Sequence, residues 1–284
     1  MLEEILGPWL LIYVLFVGAC IGSFLNVVVA RLPRAMSVSH PRSHCPLCKH
    51  QLRWYENIPI LSFLVLGAKC SNCKAPIAWR YPLVEILMMA LSGAFWFRFG
   101  MSFEFMIWWP LSAALLAIVF LDIDHWWIPD VITWPAMILV AGAAFLPGGL
   151  TPMEAALGVI PAALIFSVGF IFKVLLKKEG LGFGDVKLLL LLGLALGPLT
   201  GLHALFLAAL QGAVIGGLVA LGGGHESEAS KAEDTAFDDD WEPPPRAVPF
   251  GPFLVLGAFQ VVLLPDIFEA LPIKLGQWFL ELTT

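Results

Sequence analysis

Apolar runs approaching the roughly 20 residues that a spanning helix needs recur along the chain, and no other feature restricts the fold as strongly. Of its 284 residues, 59% are hydrophobic and only 13% charged. A soluble domain carries about 25% charged residues, so a soluble globular fold is a poor alternative. The expected class is an all-α polytopic membrane protein with about eight helical membrane segments. The total charge of −6 does not contradict this, because residues 226–242 alone carry net −7 and leave the rest of the chain at +1. That composition predicts disorder in the acidic segment. No stripe of Lys and Arg suggests nucleic-acid binding. The start, MLEEILG, is acidic and lacks the basic region of a cleavable signal peptide, so the first apolar segment is expected to stay in the mature protein.

Half of the 16 Lys and Arg residues fall within 31–80, opposed only by Glu56. The positive-inside rule then predicts that this stretch is cytoplasmic. Successive helices are expected over 8–29, 82–99, 104–121, 131–147, 153–176, 201–221 and 250–265. The run 186–197 is too short to span upright and reads as a partial or tilted helix, and the tail 266–284 reads as amphipathic. The expected organisation is a first membrane helix (1–30), a cytoplasmic zinc-binding loop (31–81) and a helix bundle carrying the catalytic carboxylates (82–222). An acidic disordered loop (223–246) and a last helix with its tail (247–284) complete it. Lys177 and Lys178 support the same orientation. The spacings Gly18/Gly22, Gly193/Gly197 and Gly212/Gly216 suit close helix packing.

The basic loop holds Cys45, Cys48, Cys70 and Cys73 as two C-x-x-C pairs. This spacing suits a tetrahedral structural zinc, which would fold a loop that lacks a core of its own. A cytoplasmic setting disfavours disulfides. His44 and His50 flank the first pair, but four thiolates already complete the shell. Cys20, inside the first apolar run, reads as a buried small apolar residue.

Ionisable residues at membrane depth are costly and point to function. Asp122 ends the third apolar run and Asp185 closes Gly182-Phe183-Gly184-Asp185, and the topology brings both to one membrane face. Two carboxylates in a poorly solvated site cannot both ionise easily, so one holds a proton and the pair can activate water for peptide hydrolysis. The glycines would let the backbone approach a substrate strand. Asp124 and Asp130 read instead as helix-end carboxylates, Asp130 as an N-cap.

These pieces in order resemble the type IV prepilin peptidase family, the leader peptidases of type IV pili and type II secretion. The resemblance rests on Gly22-Ser23-Phe24-Leu25-Asn26-Val27 with Arg31-Leu32-Pro33, on the cysteine region with Arg80-Tyr81-Pro82-Leu83-Val84-Glu85, and on Asp122 with Ile128-Pro129-Asp130. GFGDVKLL and Pro249-Phe250-Gly251-Pro252-Phe253 complete it. It covers almost the whole chain and implies that Asp122 and Asp185 are the aspartates of a GxGD-type membrane protease. The implied substrates are type IV prepilins or pseudopilins, cut after a glycine at the cytoplasmic face of the bacterial inner membrane. It further implies N-methylation with S-adenosylmethionine, for which Asn26, Glu56 and Glu85 are candidate polar residues. Where the family has a glycine two residues before the third cysteine, this chain has Ala68, after Gly67, so no methylation role is carried to that position. Two other readings stand beside the protease: an enzyme in which methyl transfer dominates, and a non-enzymatic transporter or assembly scaffold with a zinc knuckle. Nothing in the sequence assigns an oligomeric state.

Overall fold

The computed structural model describes residues 2–176, 182–221 and 247–267. The acidic segment 223–246, Lys177, Lys178 and nearly all of the expected amphipathic tail lie outside these residues. Among the described residues there is no strand, only two isolated bridges in the cysteine loop, so the all-α expectation holds. The helices are α1 (Leu2–Arg31), α2 (Leu61–Val65), α3 (Arg80–Phe99), α4 (Phe103–His125) and α5 (Asp130–Ala143). They continue with α6 (Pro152–Leu157), α7 (Val159–Leu176), α8 (Phe183–Leu196), α9 (Pro198–Leu221) and α10 (Gly251–Leu263).

Among the described residues, five stretches are long and apolar enough to cross a membrane: Gly7–Arg34, Arg80–Phe99, Phe103–His125, Pro152–Leu175 and Pro198–Val219. The expected count of about eight membrane segments is not confirmed by length alone. Helices α5, α8 and α10, at 14, 14 and 13 residues, are shorter than an upright span requires.

The chain divides into two compact units, broken between Phe120 and Leu121 inside α4. In the first, α1 packs along α3. The Gly18/Gly22 spacing explains how: a methyl on Gly18 would lie 2.2 Å from Ser92 Oγ, and one on Gly22 would lie 2.7 Å from the Glu85 Cα. Only glycine permits that approach. Phe95, Phe105 and Trp108 fill the space beside α3 and α4, Phe95 being fully buried.

In the second unit α8 is the buried core. Leu188, Leu189, Leu191 and Leu192 are all 1% exposed or less, and α5, α6, α7, α9 and α10 surround them. A helix apolar on every side belongs in such a place, and about 21 Å of helix needs no lipid contact to be satisfied. The expected helix over 153–176 is interrupted at Gly158, where the backbone presses on α8. A methyl on Gly193 would lie 1.9 Å from the Gly158 carbonyl oxygen. The third glycine pair does not pack this way: Gly216 has no neighbour within 4 Å, and Gly212 makes ordinary contact with Phe253. Instead α9 meets α10 through Gly257, whose missing methyl would fall 2.5 Å from the Ala204 carbonyl oxygen.

Candidate active site and metal centre

Asp122 lies in the last turn of α4, two residues into the second unit, and is 5% exposed. The Gly251 N–H, at the first residue of α10, donates to its Oδ2 at 3.1 Å. Gly251 also has no room for a side chain, since a methyl would stand 2.5 Å from that oxygen. The carboxylate is thus held by a helix start whose free N–H groups and dipole favour negative charge.

Asp185 sits in the first turn of α8, after Gly182. Its N–H bonds to the Gly182 carbonyl at 3.1 Å, closing the turn that starts the helix. It is close enough to Asp122 for the two charges to act on each other. The two sequence-predicted aspartates, 63 positions apart, therefore come together from α4 and α8 within one compact unit. The two glycines of the GFGD segment have different surroundings, and an added methyl on Gly182 would meet only Asp185 Oδ2 among the described residues, at 3.4 Å. Gly184 faces Ile128, in the connection between α4 and α5, whose side chain would lie 3.3 Å from an added methyl.

Asp130 is not an N-cap. Pro129 occupies that position and Asp130 is the first residue of α5. Its carboxylate instead accepts from the Lys187 ammonium on α8, two residues beyond Asp185. Proline at the cap leaves the side chain of Asp130 free for this pairing. Gly251 and Lys187 were both within quoted motifs yet carried no role at the sequence level. The glycine between Pro249 and Pro252 at a helix start was the available signal for the first.

In the first unit the four cysteine sulfurs all lie within 4.8 Å of one another. Cys45 and Cys73 are 3.8 Å apart and Cys48 and Cys70 3.9 Å, close to the edge of a tetrahedron built on zinc–sulfur bonds of about 2.3 Å. Both pairs use the same local design. Cys45 N–H bonds to His50 O and Lys49 N–H to Cys45 O. Cys70 N–H bonds to Ala75 O and Lys74 N–H to Cys70 O. Lys49 and Lys74 both take the left-handed conformation that turns the chain under the sulfurs. Asn72 Nδ2 adds a 3.6 Å contact to Cys48 Sγ. Neither flanking histidine joins the cluster: His44 contacts Arg42 O, and His50 contacts Glu56 Oε2 at 3.3 Å.

The three methyl-donor candidates are each committed to the backbone. Asn26 Nδ2 donates to Tyr81 O at 3.0 Å, and Glu85 Oε2 accepts from Ile60 N–H at 2.7 Å. Glu56 Oε2 accepts from Arg53 N–H at 2.8 Å. That N–H, with His50 beside it, holds the Glu56 carboxyl down at about 2. Close by, a groove of about 420 Å³ opens between α1 and the loop, lined by Ser23, Phe24, Arg31, Trp54 and Asn57 among others. None of the three candidates lines it. Cys20 does, half-buried, rather than the fully buried position expected of it.

A polytopic membrane protein with a four-cysteine loop in one unit and two neighbouring carboxylates in the other is the class that fold and sites define. Residues 16–99 match the Bacterial Peptidase A24 N-terminal domain, and residues 109–217 match the Type IV leader peptidase family. The chain is 34% identical to the prepilin leader peptidase/N-methyltransferase of Myxococcus xanthus, over 94% of both chains. It is 35% identical to that of Stutzerimonas stutzeri, over 89% of this chain and 90% of the relative. The identity to the Pseudomonas aeruginosa protein is 34%, over 89% of each. The chain belongs to the type IV leader peptidase family. No solved structure matches it.

Proposed function

We propose that this protein is an aspartyl endopeptidase of the bacterial inner membrane. It removes the basic leader of type IV prepilins or pseudopilins at the cytoplasmic face and N-methylates the new terminus. The observation that carries the reading is the meeting of Asp122 and Asp185, with Gly251 N–H on Asp122. One carboxylate accepts a proton from a water held between the two. The water oxygen attacks the scissile carbonyl while the other, protonated carboxyl donates to the carbonyl oxygen. Collapse of the tetrahedral intermediate breaks the C–N bond, and the proton passes to the leaving amine. Asp122 Oδ2 already accepts from the Gly251 N–H, so Asp122 is assigned as the base and Asp185 as the acid at the start of the cycle. A pilin precursor joins a basic leader to an apolar helix, so a site at the end of a membrane helix meets that junction without drawing it into lipid.

The sulfur separations fit zinc, with Cys45, Cys48, Cys70 and Cys73 as its ligands in a structural role. When bound, the ion supplies cross-linking energy to the loop rather than reaction chemistry. For S-adenosylmethionine, which supplies the methyl group, the groove beside α1 fits in size and lining. It offers the exposed ring of Trp54 for stacking and the side chains of Asn57 and Ser23 for polar contacts. Asn26, Glu56 and Glu85 then act behind its walls, fixing the backbone that shapes it. The test is the mass of a prepilin after incubation with the reconstituted protein and S-adenosylmethionine. Loss of the leader together with gain of one methyl is expected; an unchanged mass with every pilin tried overturns the assignment.

A further inference from the structure

The five-residue helix α2 turns its apolar side chains outward. Phe63 is buried and meets the Trp79 ring edge-on at 4.9 Å, whereas Leu61, Leu64 and Val65 are 58%, 63% and 85% exposed. No water-soluble loop gains from such a ridge. Its depth explains it. The Ile60 N–H, just before α2, is held by Glu85, five residues inside α3 from Arg80. Five residues of helix are about 7.5 Å, and the whole of α3 is about 30 Å, no longer than a hydrocarbon core. The start of α2 is therefore pinned below the end of a spanning helix. On α3 itself, Leu83 and Ile86 flank Glu85 in sequence and are 48% and 42% exposed, as lipid-facing positions of a span are.

The surroundings match a bilayer interface. Trp54 and Trp79 are 81% and 73% exposed, the residue type that gathers at headgroup depth. The loop 31–80 carries eight cationic side chains against Glu56 alone. Four thiolates on a divalent ion would remove two of those seven net charges and leave a clear excess. Each cation near an anionic leaflet adds to the attraction.

We infer that Leu61, Leu64 and Val65, with Trp79 and the cations of the loop, form an anchor that inserts into the acyl–headgroup boundary and takes anionic phospholipid as its partner. The four-cysteine loop is then a module fastened to the bilayer at a third point besides α1 and α3, with its groove at a set height above the lipid.

The test places photoreactive p-benzoylphenylalanine at Leu64, at Val65 or, as a control, at exposed Asn72, in the full chain reconstituted into nanodiscs of mixed neutral and anionic phospholipid. Intact mass after illumination is expected to show phospholipid adducts at positions 64 and 65 and none at 72. The adducts should favour the anionic lipid and persist with excess prepilin. Absence of lipid adducts at 64 and 65, or their replacement by prepilin adducts, overturns the anchor and makes the ridge a substrate surface. A second measurement guards against a misfolded loop. Leu64→Glu with Val65→Glu should leave leader removal unchanged in detergent and lower it several-fold in anionic bilayers. An equal loss in both media contradicts the inference.

Discussion

The two sites of this protein are assembled in opposite ways. The four cysteines lie within 29 consecutive residues, and two copies of one turn, with Lys49 and Lys74 left-handed, deliver them. The aspartates lie 63 positions apart, and three helices have to pack before α4, α8 and α10 bring Asp122, Asp185 and Gly251 to one place. A metal centre of the first kind can be reached by local folding plus an ion. A carboxylate pair of the second kind exists only when the core exists, and its low solvation is supplied by that core. Damage to the loop should therefore be partial and separable, and damage to the pair should be complete.

Predictions that break or sharpen this contrast rank by size. Asp122→Asn and Asp185→Asn should each lower leader removal by about 10³-fold with the helix content unchanged, since each removes a proton-transferring group. Cys45→Ser or Cys70→Ser should release the metal from the purified protein. Methyl transfer should be lost while slow leader removal remains, and full retention of both would show that the metal does not hold the loop in shape. Gly251→Ala should lower leader removal by about 10- to 100-fold, because a methyl 2.5 Å from Asp122 Oδ2 moves the carboxylate or the helix start. Its turnover number should fall more than its affinity for pilin. Lys187→Met should cost only a few-fold. Its ion pair with Asp130 is partly solvated, of a kind worth about 0.2–1 kcal/mol, and Asp130 is 62% exposed.

The smallest effect concerns pH. Glu56 titrates at about 2 in the folded loop against an ordinary 4.5. A lowered carboxylate stabilises the fold above its ordinary range and loses that contribution as pH falls from there toward 2. Glu56→Gln lacks that contribution, so it should release metal more readily than the parent above pH 4.5, and the gap should narrow as pH falls toward 2. Equal release by the two proteins above pH 4.5, followed by a metal-release dye, would show that the Glu56 carboxylate does not stabilise the loop.

What could be read in the sequence follows the same division. The cysteine cluster, the long apolar helices and the two aspartates were legible because their signals are spacing, length and charge in an apolar context. The Gly18/Gly22 pair was legible for the same reason. Less legible was everything that depends on which surfaces meet. Gly212/Gly216 has the same spacing as Gly18/Gly22 but no partner backbone. The run at 186–197 reads as a partial or tilted helix and is a buried core helix, because five neighbours cover it. Asp130 was read as a cap from its place before a helix, whereas Pro129 takes the cap and frees Asp130 for Lys187. Gly251 stands 129 residues from Asp122, and no periodicity links them.

The central claim is that hydrolysis belongs to Asp122 and Asp185 and to nothing in the cysteine loop. Mass spectrometry of a prepilin incubated with the reconstituted Asp185→Asn protein and S-adenosylmethionine, run beside a pre-cleaved pilin, tests it most directly. An intact leader on the first substrate and a methyl group on the second are expected. Leader removal at the parent rate by the Asp185→Asn protein would contradict it.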